Sequence, residues 1–164
     1  LIIFSDILFD SSIIERILKV NYDITLVVDN SFKISKSRNK KLDLVRTKYR
    51  PVIGDRKITF DRENPIVQIG KEMTEDEADY EFIGMAMFSP GGVEIFKKEY
   101  SKLINQSRSS FHEAASFSKA SFTDMIQHLI DSGITVSALE VHSGWMEIHT
   151  FENYKRASTI TKTL

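Results

Sequence analysis

Two carboxylates from opposite ends of the chain carry the strongest chemical signal in this sequence. Asp6 directly follows a strand-like stretch, Leu1-Ile2-Ile3-Phe4. Glu147 lies in a glycine–aromatic–acid segment, Gly144-Trp145-Met146-Glu147-Ile148-His149-Thr150. A residue placed as Asp6 is stands at the carboxyl end of its strand, where open α/β sheets put their ligands. Brought together, the two carboxylates could hold a hard cation such as Mg²⁺ through oxygen. That cation could then neutralise phosphate oxygens during transfer. The other reading makes Asp6 a cap on the helix after the first strand and Glu147 a surface acid.

Other chemistries find less support. The four histidines are His112, His128, His142 and His149. His142 and His149 flank the Gly-Trp segment, but their separation matches no standard zinc spacing. There is no Gly-x-Ser-x-Gly elbow. There is no Gly-x-Gly-x-x-Gly and no Gly-Lys-Ser/Thr. Seven glycines in 164 residues leave little material for a phosphate-cradling loop. The absence of cysteine removes disulfides, thiolate zinc sites and cysteine nucleophiles. By default it fits a reducing, cytoplasmic compartment.

Charge and hydropathy narrow the partners. The 22 Lys+Arg and 23 Asp+Glu leave a net charge of -1, so no bulk field draws nucleic acid or anionic membrane. The basic run Lys33, Lys36, Arg38, Lys40 and Lys41 has no aromatic residue interleaved after Phe32. It reads as a solvated arm rather than a nucleic-acid surface. The longest apolar run, residues 82–88, is far short of the ~20 residues that a membrane helix needs.

The elements that must position Asp6 and Glu147 read as one α/β domain over residues 1–164. Residues 2–4 predict a buried strand. Residues 11–20 carry Ile13, Ile14, Ile17 and Leu18 at helical spacing and close at Asn21-Tyr22-Asp23. Residues 24–28 predict a second buried strand, and the strand–helix–strand order signals parallel pairing. Residues 31–70 read as a basic loop followed by short antiparallel strands at 42–49, 57–60 and 66–69, separated by Pro51, Gly54-Asp55 and Asn64-Pro65. Residues 82–88 predict a further buried strand, with Met85 and Met87 as core and Ser89-Pro90-Gly91-Gly92 as its turn. The last third predicts helices at 92–104, 122–132 and 151–159, with a less regular one at 110–115. Late strands are expected at 134–136, 138–141 and 145–148.

Seven segments, in order, resemble the sugar-phosphate nucleotidyltransferases. They are Ser5-Asp6-Ile7-Leu8-Phe9-Asp10, Asp23-Ile24-Thr25-Leu26-Val27-Val28-Asp29, Ile69-Gly70-Lys71, Glu81-Phe82-Ile83-Gly84-Met85-Ala86, Phe122-Thr123-Asp124-Met125-Ile126, Gly144 to Thr150 as quoted above, and Glu152-Asn153-Tyr154-Lys155-Arg156-Ala157. The likeness is greatest to the branch containing choline-phosphate cytidylyltransferases and the nucleotidyltransferase domains of phosphoenolpyruvate phosphomutase-like proteins. It implies a Rossmann-like α/β nucleotidyltransferase fold with a mixed sheet. It implies transfer of a nucleotidyl group from an NTP to a sugar-phosphate, phosphocholine or phosphonate acceptor, with release of pyrophosphate. Mg²⁺ would be held by Asp6 and Glu147. Lys71 would contact the substrate phosphate, or is an ordinary exposed lysine. Glu81, Gly84 and Asp124 would line the acceptor pocket. Glu81, Asp124 or Trp145 could receive an ammonium group.

Two departures from that pattern matter. The Leu-Ala-Ala-Gly-x-Gly-type loop and its Pro-Lys pair, expected upstream of Asp6, do not occur in these residues. The resemblance therefore implies an N-terminally truncated domain, inactive alone, whose uncovered sheet edge favours a homodimer. The late acidic segment also reads Glu147-Ile148-His149, where many relatives carry an acid at the third position. The alternative to catalysis is a binding or regulatory module that keeps the nucleotidyltransferase fold.

Overall fold

The computed structural model describes residues 1–33, 41–49, 63–104 and 110–160. The strands are β1 (Ile2–Ile3), β2 (Ile7–Phe9), β3 (Ile24–Asp29), β4 (Leu44–Thr47), β5 (Ile66–Gly70), β6 (Tyr80–Phe88), β7 (Ser137–Val141) and β8 (Trp145–Glu147). The helices are α1 (Ser11–Ile17), α2 (Pro90–Ile104), α3 (Phe122–Asp131) and α4 (Phe151–Ile160). The expected strand at 57–60 and most of the basic run lie outside the described residues.

β6 organises the sheet. Its sequence, YEFIGMAMF, is an almost unbroken apolar run, as a strand covered on both faces requires. The order is β5-β4-β6-β3-β7, and β1 adds to the same side of β6 as β4. β3 pairs antiparallel with β6 and parallel with β7, so the sheet is mixed as expected. β2 and β8 form a separate antiparallel ribbon.

Several expectations change. β1 and β3 run parallel but are not neighbours, because the longer and more apolar β6 lies between them, antiparallel to both. β1 is not buried: Ile2 and Ile3 are exposed at the sheet edge, and only Phe4 packs inward. β2 replaces the direct run from strand to helix. α1 stops at Ile17 rather than near Asn21, since Ile17 is its last buried apolar residue. Ser89-Pro90-Gly91-Gly92 is the start of α2 instead of a separate turn. Ser89 Oγ accepts the Gly92 N–H at 3.0 Å, and Pro90 occupies the first helical position, where its missing N–H is harmless. Residues 110–115 form a tight loop closed by reciprocal Phe111–Ala114 bonds of 2.9 Å, and 134–136 is a connection.

Side-chain alternation divides the core in two. Ile24, Leu26, Val28, Tyr80 and Phe82 pack with Leu103 of α2 and with Met125, Ile126 and Leu129 of α3. On the other face Val27, Ile83, Met85, Leu139 and Val141 pack with Ile13 and Ile17 of α1 and with Ile7 of the ribbon. No helix among the described residues is long and apolar enough to cross a membrane.

The end of β1 is set by Gly84. The Phe4 N–H bonds the Gly84 carbonyl at 2.9 Å, and the Phe4 ring lies directly over the glycine. A Cβ there would stand 2.9 Å from Phe4 Cδ2, and Gly84 has φ +84°. Phe4 then packs edge-on against Phe82 and Phe122, with centroids 5.8 and 6.2 Å away. This fixes the chain two residues before Asp6. Gly84→Ala is expected to lower stability by about 2–4 kcal/mol, from backbone strain plus the clash. Denaturant unfolding of Gly84→Ala, Phe4→Ala and the double variant checks this. Relief of the clash makes the double variant less damaged than the sum of the singles, whereas strict additivity contradicts it.

Candidate functional site

Asp6 lies in the turn where the chain leaves the main sheet and enters the ribbon. In the ribbon Ile7 stands opposite Glu147, Leu8 opposite Met146 and Phe9 opposite Trp145. The ladder continues one step further: the Ile148 N–H bonds the Asp6 carbonyl at 2.7 Å. This register brings the two ends of the chain together. Asp6 does not cap α1; Asp10 occupies that position, without a side-chain capping bond.

His149 completes the cluster. Its Nε2 is 2.5 Å from Glu147 Oε1, and its Nδ1 is 3.6 Å from Asp6 Oδ2. One ligand atom from each of Asp6, Glu147 and His149 lies within 4.8 Å of the others. Asp6 and Glu147 are half-buried and His149 is exposed. The backbone at His149 is held by the start of α4. Thr150 Oγ1 accepts the Asn153 N–H at 3.1 Å, and Asn153 Oδ1 accepts the Thr150 N–H at 3.1 Å. Two carboxylates and an imidazole form a donor set that fits a divalent cation. Sequence spacing between histidines did not point to His149. The usable signal was its i+2 relation to Glu147 in a strand-like segment, which turns both side chains the same way.

Asp29, at the end of β3, holds the ribbon in place and was not among the expected site residues. It is fully buried. Its Oδ1 accepts the Ser31 N–H at 2.8 Å, and its Oδ2 accepts the Ser31 hydroxyl at 2.9 Å. Oδ2 also accepts the Ser143 N–H at 3.0 Å and the Trp145 indole N–H at 2.6 Å. Ser143 and Gly144 are both left-handed, with φ 57° and 80°. They make the sharp turn between β7 and β8. Gly144 O accepts the Asp10 N–H at 2.8 Å, so the turn is tied to the ribbon's other strand.

The remaining expected residues fall into two groups. Glu81, buried in β6, stands directly opposite Asp29 in register, so it shares the sheet face of Asp29, Trp145 and the ribbon. Lys71 and Asp124 belong to the α3 side. Lys71 Nζ is 3.9 Å from Asp43 Oδ2, and Asp43 Oδ1 accepts the Thr123 hydroxyl at 3.0 Å. Glu113 accepts the N–H groups of Lys71 and Glu72 at 2.8 and 2.9 Å, and its own N–H bonds Asp124 at 3.0 Å. Asp124 also forms the capping box of α3 with Ser121. Glu113, Asp124, His112 and Gln127 line an open cleft of about 410 Å³. Burial pushes the Asp124 carboxyl up, but the bonds from Ser121 and Glu113 outweigh burial and hold it below its ordinary value. Gly84 underlies Phe4, as described above.

No family model matches the sequence, and no curated protein matches it. Among solved structures, the chain is similar to the inositol-1-phosphate CTP transferase from T. maritima, with TM-score 0.53 and 20% identity. The match covers 94% of this chain and 53% of that one, so this chain spans about half the length of the transferase. At that identity the likeness is one of fold: a nucleotidyltransferase-like α/β fold with a mixed sheet.

Two predictions follow from these bonds. Trp145→Phe leaves the buried Asp29 short of a donor and should cost about 1–3 kcal/mol, a loss that shrinks in an Asp29→Asn background; equal losses in both backgrounds contradict the link. Because the folded-state pKa of Asp124 is depressed, its stabilisation is present above the ordinary aspartate value of about 3.9 and is lost as pH falls through the folded value. Asp124→Asn should therefore be less stable than the wild type at neutral pH, with the gap closing in acid; a gap independent of pH rules out the charged cap.

Proposed function

We propose that this chain supplies the cation-binding and acceptor-side residues of a nucleotidyltransferase. The observation that carries the reading is the convergence of Asp6 and Glu147 on the β2–β8 ladder. The fold's likeness to a CTP transferase supports it, as does the order of the sequence segments. The reaction is attack of an acceptor phosphate or phosphonate oxygen on the α-phosphorus of an NTP. A new P–O bond forms at that phosphorus, and the bond to pyrophosphate breaks. Little covalent work falls to the protein; positioning and charge neutralisation dominate.

In this reading Asp6 and Glu147 hold a divalent cation, Mg²⁺ in the simplest case, which supplies positive charge to the phosphate oxygens. Asp29 and Trp145 hold β8 so that Glu147 keeps its place beside Asp6. Lys71 and Asp124 stay with Glu113 on the α3 side and are not part of this site. Glu81 and Trp145, on the ribbon's face of the sheet, are the groups that would receive a positively charged acceptor.

The test is pyrophosphate release by the natural full-length protein, with CTP, UTP or dTTP and a panel of sugar-phosphates, phosphocholine and phosphonates. Asp6→Asn and Glu147→Gln should each lower kcat/KM by about 100-fold or more, the scale of losing one preorganised electrostatic group. Turnover unchanged in both variants contradicts the proposal. Binding of NTP or acceptor without turnover would favour a regulatory module.

A further inference from the structure

We propose that His149 is a direct ligand of the cation held by Asp6 and Glu147, and that it biases the site toward Mn²⁺ over Mg²⁺. The inference rests on the cation reading of those two carboxylates and specifies the ion they take. His149 presents a nitrogen to each: Nε2 at 2.5 Å from Glu147 and Nδ1 at 3.6 Å from Asp6. The three ligand atoms lie within 4.8 Å of one another, a span that small side-chain rotations close around one ion. The imidazole is two residues beyond Glu147 along the chain, and the Thr150–Asn153 bonds hold the backbone beside it. Its side chain is 39% exposed, so an ion can reach it from solvent.

The donor set decides the preference. Mg²⁺ demands oxygen ligands in near-ideal octahedral geometry and gives up water reluctantly. An imidazole nitrogen adds little for Mg²⁺ but strengthens binding of first-row transition ions, which outrank it at mixed nitrogen and oxygen sites. Mn²⁺ also keeps the taste for carboxylate and phosphate oxygen that the transfer reaction needs. With an imidazole rather than a third carboxylate beside Asp6 and Glu147, the cluster carries less negative charge, which weakens a purely electrostatic hold on Mg²⁺.

The experiment titrates Mn²⁺ alone into the protein and follows the loss of the free-ion EPR signal, with Mg²⁺ as competitor. His149→Asp replaces nitrogen with oxygen and should cut the Mn²⁺-to-Mg²⁺ preference about tenfold, the scale on which ligand surroundings change metal affinity. His149→Gln should weaken Mn²⁺ binding while leaving the circular-dichroism spectrum unchanged. Among the four histidines, His149 should show the first paramagnetic broadening of its ring signals in NMR. An unchanged preference in His149→Asp, with the His149 signals unbroadened, overturns the inference. If Asp6→Asn and Glu147→Gln still abolish binding in that case, the carboxylate reading survives it. Failure of both ions to bind overturns both readings together.

Discussion

The structure turns on one buried carboxylate. Asp29 ends β3, a strand buried along its whole length between β6 and β7, and it accepts hydrogen bonds from two segments distant in sequence from each other. A buried carboxylate without donors is strongly unfavourable, so folding must deliver them. Two come from Ser31, next to it in the chain. The other two come from Ser143 and Trp145, and they can arrive only if the chain turns sharply after β7 through two left-handed residues. That turn starts β8, and β8 in register with β2 puts Glu147 beside Asp6. The satisfaction of one acid thus places two others.

The second constraint is steric. Gly84 gives up its side chain so that Phe4 can lie on β6 and lock into the aromatic group with Phe82 and Phe122. The chain leaves the sheet immediately afterwards, at Ser5-Asp6. One end of the candidate site is therefore set by packing and the other by hydrogen bonding. The two devices meet at a ribbon that covers the α1 face of the sheet. Lys71 and Asp124 answer to a different network, in which Glu113 ties the end of β5 to the start of α3. The sheet lies between these two groups of polar residues.

Much of the fold was legible because its strongest elements carry local signals. The apolar run of β6, the helical stripe of α3 and the start of α4 all stand where periodicity put them. The pairing of Asp6 with Glu147 was implied by the family resemblance, while the residues alone left Asp6 also readable as a helix cap. What was not legible depended on non-local competition. Nothing in Ile2-Ile3 reveals that β6 will separate it from β3, or that its edge stays exposed. β2 is three residues long and exists only because β8 pairs with it. Asp29 looked like an ordinary strand end, since two of its four donors, from Ser143 and Trp145, lie more than a hundred residues away. His149 was judged by its distance from other histidines, although its partners are carboxylates.

The central claim is that Asp6 and Glu147 jointly hold a divalent cation, and crystallography can locate such an ion directly. Crystals of the protein soaked in Mn²⁺ should be measured at the manganese absorption edge. An anomalous peak is expected between the two carboxylates, at about 2–2.5 Å from an oxygen of each, within the usual range for hard cations. A peak elsewhere, such as in the cleft beside Glu113 and Asp124, with none at Asp6 and Glu147, would contradict it.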